Sequence, residues 1–194
     1  MNATTPEIFI LRHGQTEWNR EKRAQGQMDS PLTDLGREQA RAQNRLLKSA
    51  ALPPDTTYYC SPLGRTRQTA ELALAGLADD VILDARLMEV SVGEFEGQLL
   101  ADCAARWPAV FDTGMWGEWC FLAPGGEGFH AFSQRLQSWL DELATPAVIV
   151  GHGMVSLILR GLVLGLDMEA SLALPGGQGV VYHVKDGVHR RLGA

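Results

Sequence analysis

Ile8-Phe9-Ile10-Leu11-Arg12-His13-Gly14 is the run that decides the architecture of this chain. Four apolar residues in succession, two β-branched and one aromatic, read as a strand buried on both faces. The character then changes within one residue to a cation, an imidazole and a glycine. A second run, Ala147-Val148-Ile149-Val150-Gly151, passes the same way into His152-Gly153, and between them Tyr58-Tyr59-Cys60 leads to Ser61-Pro62-Leu63-Gly64-Arg65. Three strand-like segments thus each deliver polar groups just past their carboxyl ends, where open α/β sheets hold ligands. That shared placement joins residues far apart in number into one expected site.

Working outward, Gln15 to Ser30 reads as a polar loop over the strand ends. Thr33 reads as the N-cap of a helix whose apolar face carries Leu35, Ala42 and Leu46, and Pro53-Pro54 ends it. Ser61 and Pro62 suit the N-cap and first position of a second helix, with Leu63, Ala70, Leu74 and Leu77 on its buried face. Arg65 then lies in the opening turn, and because helix side chains lean toward the N-terminus it points back at His13. Val81-Ile82-Leu83 is a further short strand, Leu87 to Gly97 is irregular, and Gln98 to Gly125 is a broken segment with helical potential near Leu99 to Trp107. Phe129, Phe132, Leu136, Trp139, Leu140 and Leu143 recur at helical spacing. Met154 to Leu164 is apolar nearly all round, as in a helix packed on several sides. Val180 to Val184 and Val188 to Leu192 flank Asp186-Gly187, a hairpin signal. The alternation of strands and helices predicts a three-layer α/β/α fold, a mostly parallel central sheet flanked by helices. With no repeat or linker, residues 1–194 read as one domain with a cover segment at about 98–125.

Composition narrows the function. The chain has 194 residues, 45% hydrophobic and 21% charged, with a net charge of -6. An acidic chain lacks the basic excess of a nucleic-acid binder, so an anion must be held by local arrangement. Cys60, Cys103 and Cys120 are odd in number and show no metal spacing, which fits reduced thiols in the cytoplasm. Met1 to Pro6 lacks the regions of a secretory leader, and the Met154 to Leu166 stretch is too short to span a bilayer. The expectation is a cytoplasmic protein without nucleic-acid or membrane partners, either a monomer or a homodimer.

If the ligand is a phosphoryl group, its transfer depends on positioning and on cations that take up charge on the equatorial oxygens. Arg12 and Arg65 are suited to this, since a guanidinium forks two donors onto an oxyanion. A neutral imidazole can attack phosphorus, and nearby guanidiniums lower its pKa in the helpful direction. Bland readings stand beside these. Arg65 could pair with Glu71 on a helix surface, Asn19 and Gln25 could be turn residues, and His130, His183 and His189 read as structural. Cys60 and Arg65 suggest a cysteine phosphatase, but four residues intervene where that loop needs five, and its glycines are largely missing. No His-x-His, His-Glu-x-x-His or aspartate cluster supports metal hydrolysis.

Leu11-Arg12-His13-Gly14-Gln15-Thr16-Glu17-Trp18-Asn19 resembles the signature of the histidine phosphatase superfamily, the phosphoglycerate mutase-like proteins. Further matches follow in order: Gln25-Gly26, Asp29 to Thr33 through Gly36, Ser61 to Ala70, Leu87-Met88-Glu89 with Gly93 and Glu96-Gly97, and His152-Gly153. The resemblance implies that His13 is the phosphorylated nucleophile. It implies Arg12, Arg65 and His152 with Gly153 as the phosphate pocket, and Asn19 and Gln25 as further polar contacts. Glu89, rather than neighbouring Glu94 or Glu96, would donate a proton to the leaving group and later activate water. No metal or organic cofactor is implied, and the partner is a small phosphorylated substrate.

Phosphatase, mutase and catalytically silent binder remain as outcomes. A mutase holding a bisphosphate needs extra cations in its cover. Gln98 to Gly125 offers only Arg106, against Asp102, Asp112 and Glu118, and is dominated by Trp107, Phe111, Trp116, Trp119 and Phe121. This favours hydrolysis of a phosphomonoester with an apolar or aromatic part, although such aromatics serve equally well to pack the cover.

Overall fold

The computed structural model describes residues 5–193, so most of the Met1 to Pro6 segment lies outside the described residues. Six strands form one sheet: β1 (Ile8–Arg12), β2 (Thr57–Cys60), β3 (Ile82–Leu83), β4 (Ala147–Gly151), β5 (Val181–Lys185) and β6 (Val188–Arg191). Their order is β3-β2-β4-β1-β5-β6. The first four are mutually parallel, and β5 and β6 add on antiparallel. The sheet is therefore mixed: the expected parallel strands run from the β3 edge to β1, and β5 and β6 form the opposite edge. The helices are α1 (Glu17–Glu21), α2 (Asp34–Ser49), α3 (Gly64–Ala73), α4 (Leu100–Arg106), α5 (Pro108–Phe111), α6 (Trp119–Leu122), α7 (Gly128–Asp141), α8 (Gly153–Leu164) and α9 (Met168–Leu172). None is long and apolar enough to cross a membrane.

Two cores explain the uninterrupted apolar runs of β1 and β4. Phe9, Leu11, Val148 and Val150 pack on the α2 and α3 side with Leu47, Ala70 and Ala73. Ile8, Ile10 and Ile149 face the other way, against Leu136 and Trp139 of α7 and Val155 and Ile158 of α8. A strand covered on both faces has no polar face to present. Asp186 and Gly187 both have positive φ, as a tight two-residue hairpin turn requires.

Three local expectations need correction. The buried face of α2 carries Gly36, Ala40, Gln43 and Leu47, while Leu35 is exposed. Close approach decides this. A β-carbon on Gly36 would stand 2.1 Å from the Gln15 carbonyl oxygen, and one on Gly14 would stand 2.1 Å from the Gly36 oxygen. Backbone therefore meets backbone where the helix crosses the end of β1, and small residues choose the face. Gly36→Ala is expected to destabilise the fold by roughly 1–3 kcal/mol. A urea midpoint equal to wild type would show that the two segments separate freely.

Second, α3 begins at Gly64 and its N-cap is Leu63, without a side-chain cap. The Asp29 carboxylate caps it from the facing loop, accepting from the Gly64 N–H at 2.6 Å and the Arg65 N–H at 3.2 Å. Third, the 15–30 loop contains the single turn of α1, closed by a capping box between Thr16 and Asn19.

Candidate active site

The register of the parallel strands assembles the site. Arg12 lies opposite Gly151 and Cys60 opposite Val150, and the His13 and Ser61 amides each continue the ladder onto β4 with bonds of 3.0 Å. His13, Ser61 and His152 therefore leave three adjacent strands side by side. Because the carboxyl ends of parallel strands share one edge, residues far apart in number meet without any long side chain reaching across the sheet.

His13 is buried, and its Nδ1 lies 2.7 Å from the Gly14 carbonyl oxygen. A carbonyl can only accept, so Nδ1 carries the proton and Nε2 keeps its lone pair. Burial, reinforced by Arg65 and Arg12, holds the pKa well below the ordinary 6.5, against the opposing bond to Gly14. His152 is fully buried behind it, with ring centroids 5.4 Å apart, and its Nε2 lies 2.8 Å from the Ser61 hydroxyl. Its pKa is likewise well below 6.5, through burial first and then Arg65, His13, Arg12 and Arg135. Ser61 is thus a partner of the second histidine, and this use of its hydroxyl explains why it does not cap α3.

The two arginines are fixed differently. Arg65 is 1% exposed; Nη1 donates to the Met28 carbonyl at 2.6 Å and to Asp29 at 3.2 Å, and Nη2 donates to the Gly26 carbonyl at 2.7 Å. Its carboxylate partner is Asp29, not Glu71. Arg12 is held through its backbone, whose carbonyl accepts from the Gln43 side chain at 2.9 Å. The Nε atoms of both arginines and Nδ1 of His152 are buried without a hydrogen-bond partner in the protein. The two arginine N–H groups are buried donors of the kind an oxyanion would satisfy. Gly153 lies against the guanidinium: a β-carbon there would be 3.4 Å from Arg12 Cζ and 3.6 Å from Glu89 Oε2.

Among the three nearby glutamates, geometry singles out Glu89. It lines the cavity, accepting from the Val90 N–H at 3.1 Å and, at the start of α8, from the Met154 N–H at 3.2 Å. Glu96 instead accepts from Ser91 and Val92 in its own loop and from the Gln27 N–H of the facing loop, and Glu94 is exposed. Asn19 and Gln25 also line the cavity, and the Thr16 hydroxyl donates to Gln25 at 3.0 Å. Cys60 faces the α2 and α3 core, with its thiol pushed up to about 12 by burial. A thiol so reluctant to ionise, on the wrong face of the sheet, is a poor nucleophile.

The cavity holds about 200 Å³. Arg12, His13, Arg65 and Glu89 make its polar end, while Leu100, Met154, Trp116 and Trp119 belong to its apolar wall. His152, expected in the phosphate pocket, is not among the lining residues and stands behind His13. Most cover aromatics pack: Phe95 gathers Trp107, Phe111 and Trp119 at 5.0, 5.7 and 6.2 Å, and Phe121 meets Phe129 and Phe132 at 5.2 and 5.8 Å. Trp116 differs, being 70% exposed at the cavity wall. Arg106 stacks on Trp107 at 4.4 Å and does not line the cavity. Arg23, which sequence reasoning passed over, is the one further cation among the lining residues, and it is engaged by the Gly97 carbonyl at 2.8 Å and by Glu21 at 3.1 Å. Among the described residues, no three His, Cys, Asp or Glu side chains are grouped to hold a metal ion.

Comparison with known proteins matches residues 8–187 to the profile of the histidine phosphatase superfamily (branch 1). The probable phosphoglycerate mutase GpmB of Proteus mirabilis (strain HI4320) is 36% identical over 170 residues, 87% of this chain and 76% of that protein. Among solved structures, the alpha-ribazole phosphatase from Shigella flexneri superposes with a TM-score of 0.79 at 25% identity, covering 97% of this chain and 96% of that one. A mycobacterial glucosyl-3-phosphoglycerate phosphatase in complex with VO3 gives 0.76 at 26% identity, covering 96% of each chain.

Proposed function

The chain belongs to branch 1 of the histidine phosphatase superfamily, and from that premise we propose that it hydrolyses phosphomonoesters of small metabolites through a phosphorylated His13. The observation that carries this reading is the fixed tautomer of His13. Its Nδ1 proton is committed to Gly14, and its Nε2 lone pair belongs to a neutral ring between two guanidiniums.

In the first step Nε2 attacks phosphorus and the P–O ester bond breaks. The protonated Glu89 carboxyl gives its proton to the departing oxygen, and the alcohol leaves. In the second, Glu89 takes a proton from water, whose oxygen attacks phosphorus as the P–N bond breaks. Inorganic phosphate departs and both residues are restored. Arg12 and Arg65 hold the equatorial oxygens throughout, and Asn19, Gln25 and the backbone at Gly153 complete the pocket. Neither step requires a metal or an organic cofactor.

Hydrolysis is favoured over mutase action by the cavity wall. A mutase must retain a second anionic group, yet Arg23, the one additional cation among the described lining residues, already has partners, and Trp116, Trp119, Leu100 and Met154 give the wall an apolar character. The mutase reading draws on the name of the GpmB relatives. Assaying free phosphate against interconversion of 2- and 3-phosphoglycerate separates them. The expected result is phosphate release that survives EDTA, is blocked by vanadate, and has a higher kcat/KM for aryl phosphates than for glycerol phosphates. Interconversion outpacing release would establish the mutase, and no turnover of any ester would mark a silent binder.

A further inference from the structure

We propose that Gln178, which does not line the cavity, is a positioning residue that locks the Asn19 side-chain amide with its N–H groups toward the bound phosphoryl group. The inference rests on the reading above that the cavity holds an oxyanion. Asn19 Oδ1 accepts from the Thr16 backbone N–H at 3.2 Å. A backbone N–H can only donate, so the atom facing Thr16 is the oxygen. Gln178 Nε2 lies 2.9 Å from that same oxygen and must be the donating end of its own amide. Both lone pairs of Oδ1 are thereby taken, leaving the Asn19 NH2 as the group that can address the cavity it lines. Were the amide to rotate, a carbonyl oxygen would face the phosphoryl oxygens.

The loop that carries Gln178, residues 174–180, is pinned at three carbonyls by buried or half-buried polar side chains. Arg160 Nη2 donates to the Pro175 oxygen at 2.8 Å, the Tyr182 hydroxyl to the Gly176 oxygen at 2.9 Å, and Gln43 Nε2 to the Val180 oxygen at 3.0 Å. Gln43 also holds the Arg12 carbonyl, so one amide ties this loop to the strand end that bears His13. Arg160 is otherwise hard to account for. It is fully buried on α8, and its partners are the Ser156 and Pro175 carbonyls, the Nδ1 of His189 and the face of Tyr182, with no carboxylate among them. A buried cation without a counter-ion is unfavourable. Burial accordingly lowers its pKa to about 10. Its place is understandable if the loop must stand at one position. Gly177 and Gly179, at φ 141° and 73°, let the chain turn so that the side chain between them meets α1.

The test compares wild type, Gln178→Ala, Gln178→Glu, Asn19→Ala and the double variant Asn19→Ala/Gln178→Ala. Vanadate affinity is measured by calorimetry, kcat and KM with 4-nitrophenyl phosphate, and melting temperature to confirm folding. Loss of one hydrogen bond to a charged group predicts about a tenfold weakening of vanadate binding and of kcat/KM in Gln178→Ala. Gln178→Glu should be weaker still, because its carboxylate meets the Asn19 oxygen as a second acceptor. In the Asn19→Ala background, Gln178→Ala should change neither quantity. An equal loss in both backgrounds, or undiminished vanadate affinity in Gln178→Ala, would overturn the proposal. If wild type binds vanadate but cleaves no ester, the phosphatase reading fails while the affinities still decide the role of Gln178. If it binds no vanadate, both fail.

Discussion

His13→Ala is expected to reduce phosphate release by a factor on the order of 10⁴ or more, the scale seen when a covalent nucleophile is deleted elsewhere. Acid-labile labelling of the protein by a phosphorylated substrate should vanish with it, because His13 is the one imidazole among the described residues that line the cavity. Cys60→Ser is the control: its thiol points into the core, so turnover should persist, and total loss in a folded Cys60→Ser protein would reopen the cysteine route. The pH dependence follows from the same environment. Burial and the two arginines keep His13 neutral well below 6.5, so activity should persist on the acid side of the usual histidine titration. Stability moves differently. The folded-state pKa values of His13 and His152 are depressed, so between those values and 6.5 the unfolded chain binds protons that the folded one does not. Lowering the pH through that window therefore destabilises the fold, and raising it back restores stability. A melting temperature that rose on acidification from pH 7 would contradict the assigned neutral rings.

Glu89→Gln should produce the second large loss, roughly 10²–10⁴-fold in kcat for poor leaving groups. Glutamine keeps the shape and the bond from one of the two amides, Val90 or Met154, which donate to different oxygens of Glu89, while the transferable proton is lost. The defect should depend on the leaving group. An alkyl ester, whose alkoxide is strongly basic, needs the proton at the moment of departure, whereas a nitrophenolate leaves unaided. A loss of equal size for 4-nitrophenyl and alkyl phosphates in formation of the phosphoenzyme would remove Glu89 from the role of acid. The same substitution in Glu96 should act on its loop and not on leaving-group dependence, since that carboxylate is committed to Gln27, Ser91 and Val92.

The parts of this site readable from the chain are those whose position is set by local pattern. An apolar run that stops at a cation marks a strand end whatever its neighbours are, so His13, Ser61 and His152 could be placed on one edge before their partners were known. Thr33 caps α2 as its residue type suggests, its side chain accepting from the Gly36 N–H at 3.0 Å. The face of α2 was not readable from Leu35, Ala42 and Leu46, because closeness of backbone, not hydrophobic period, chose Gly36 and Gln43. Ser61 looked like a cap because serine before proline is a common helix start, and only the packing of β2 beside β4 shows its hydroxyl against His152. Asp29 stood out only within the family match of Asp29 to Thr33, not as the cap of α3, and Gln178 carried no signal at all. One is an acid in a polar loop, the other an amide in a glycine-rich turn, and each acquires meaning from a contact made across the fold. The cover aromatics were ambiguous for the same reason, and most of them proved to be packing around Phe95 and Phe121.

β1 is hydrogen-bonded on both sides, to β4 and to β5, and buried on both faces, so Arg12 and His13 issue from the least compliant part of the molecule. The wall that would meet the alcohol half of a substrate comes largely from short helices and turns, including Trp116 between two glycines of positive φ at 114 and 117. In the proposed reaction, bond-breaking and discrimination thus fall to separate parts of the fold. Substitutions in the wall's surface excursion should therefore change which ester is accepted without disturbing the strand end that carries Arg12 and His13.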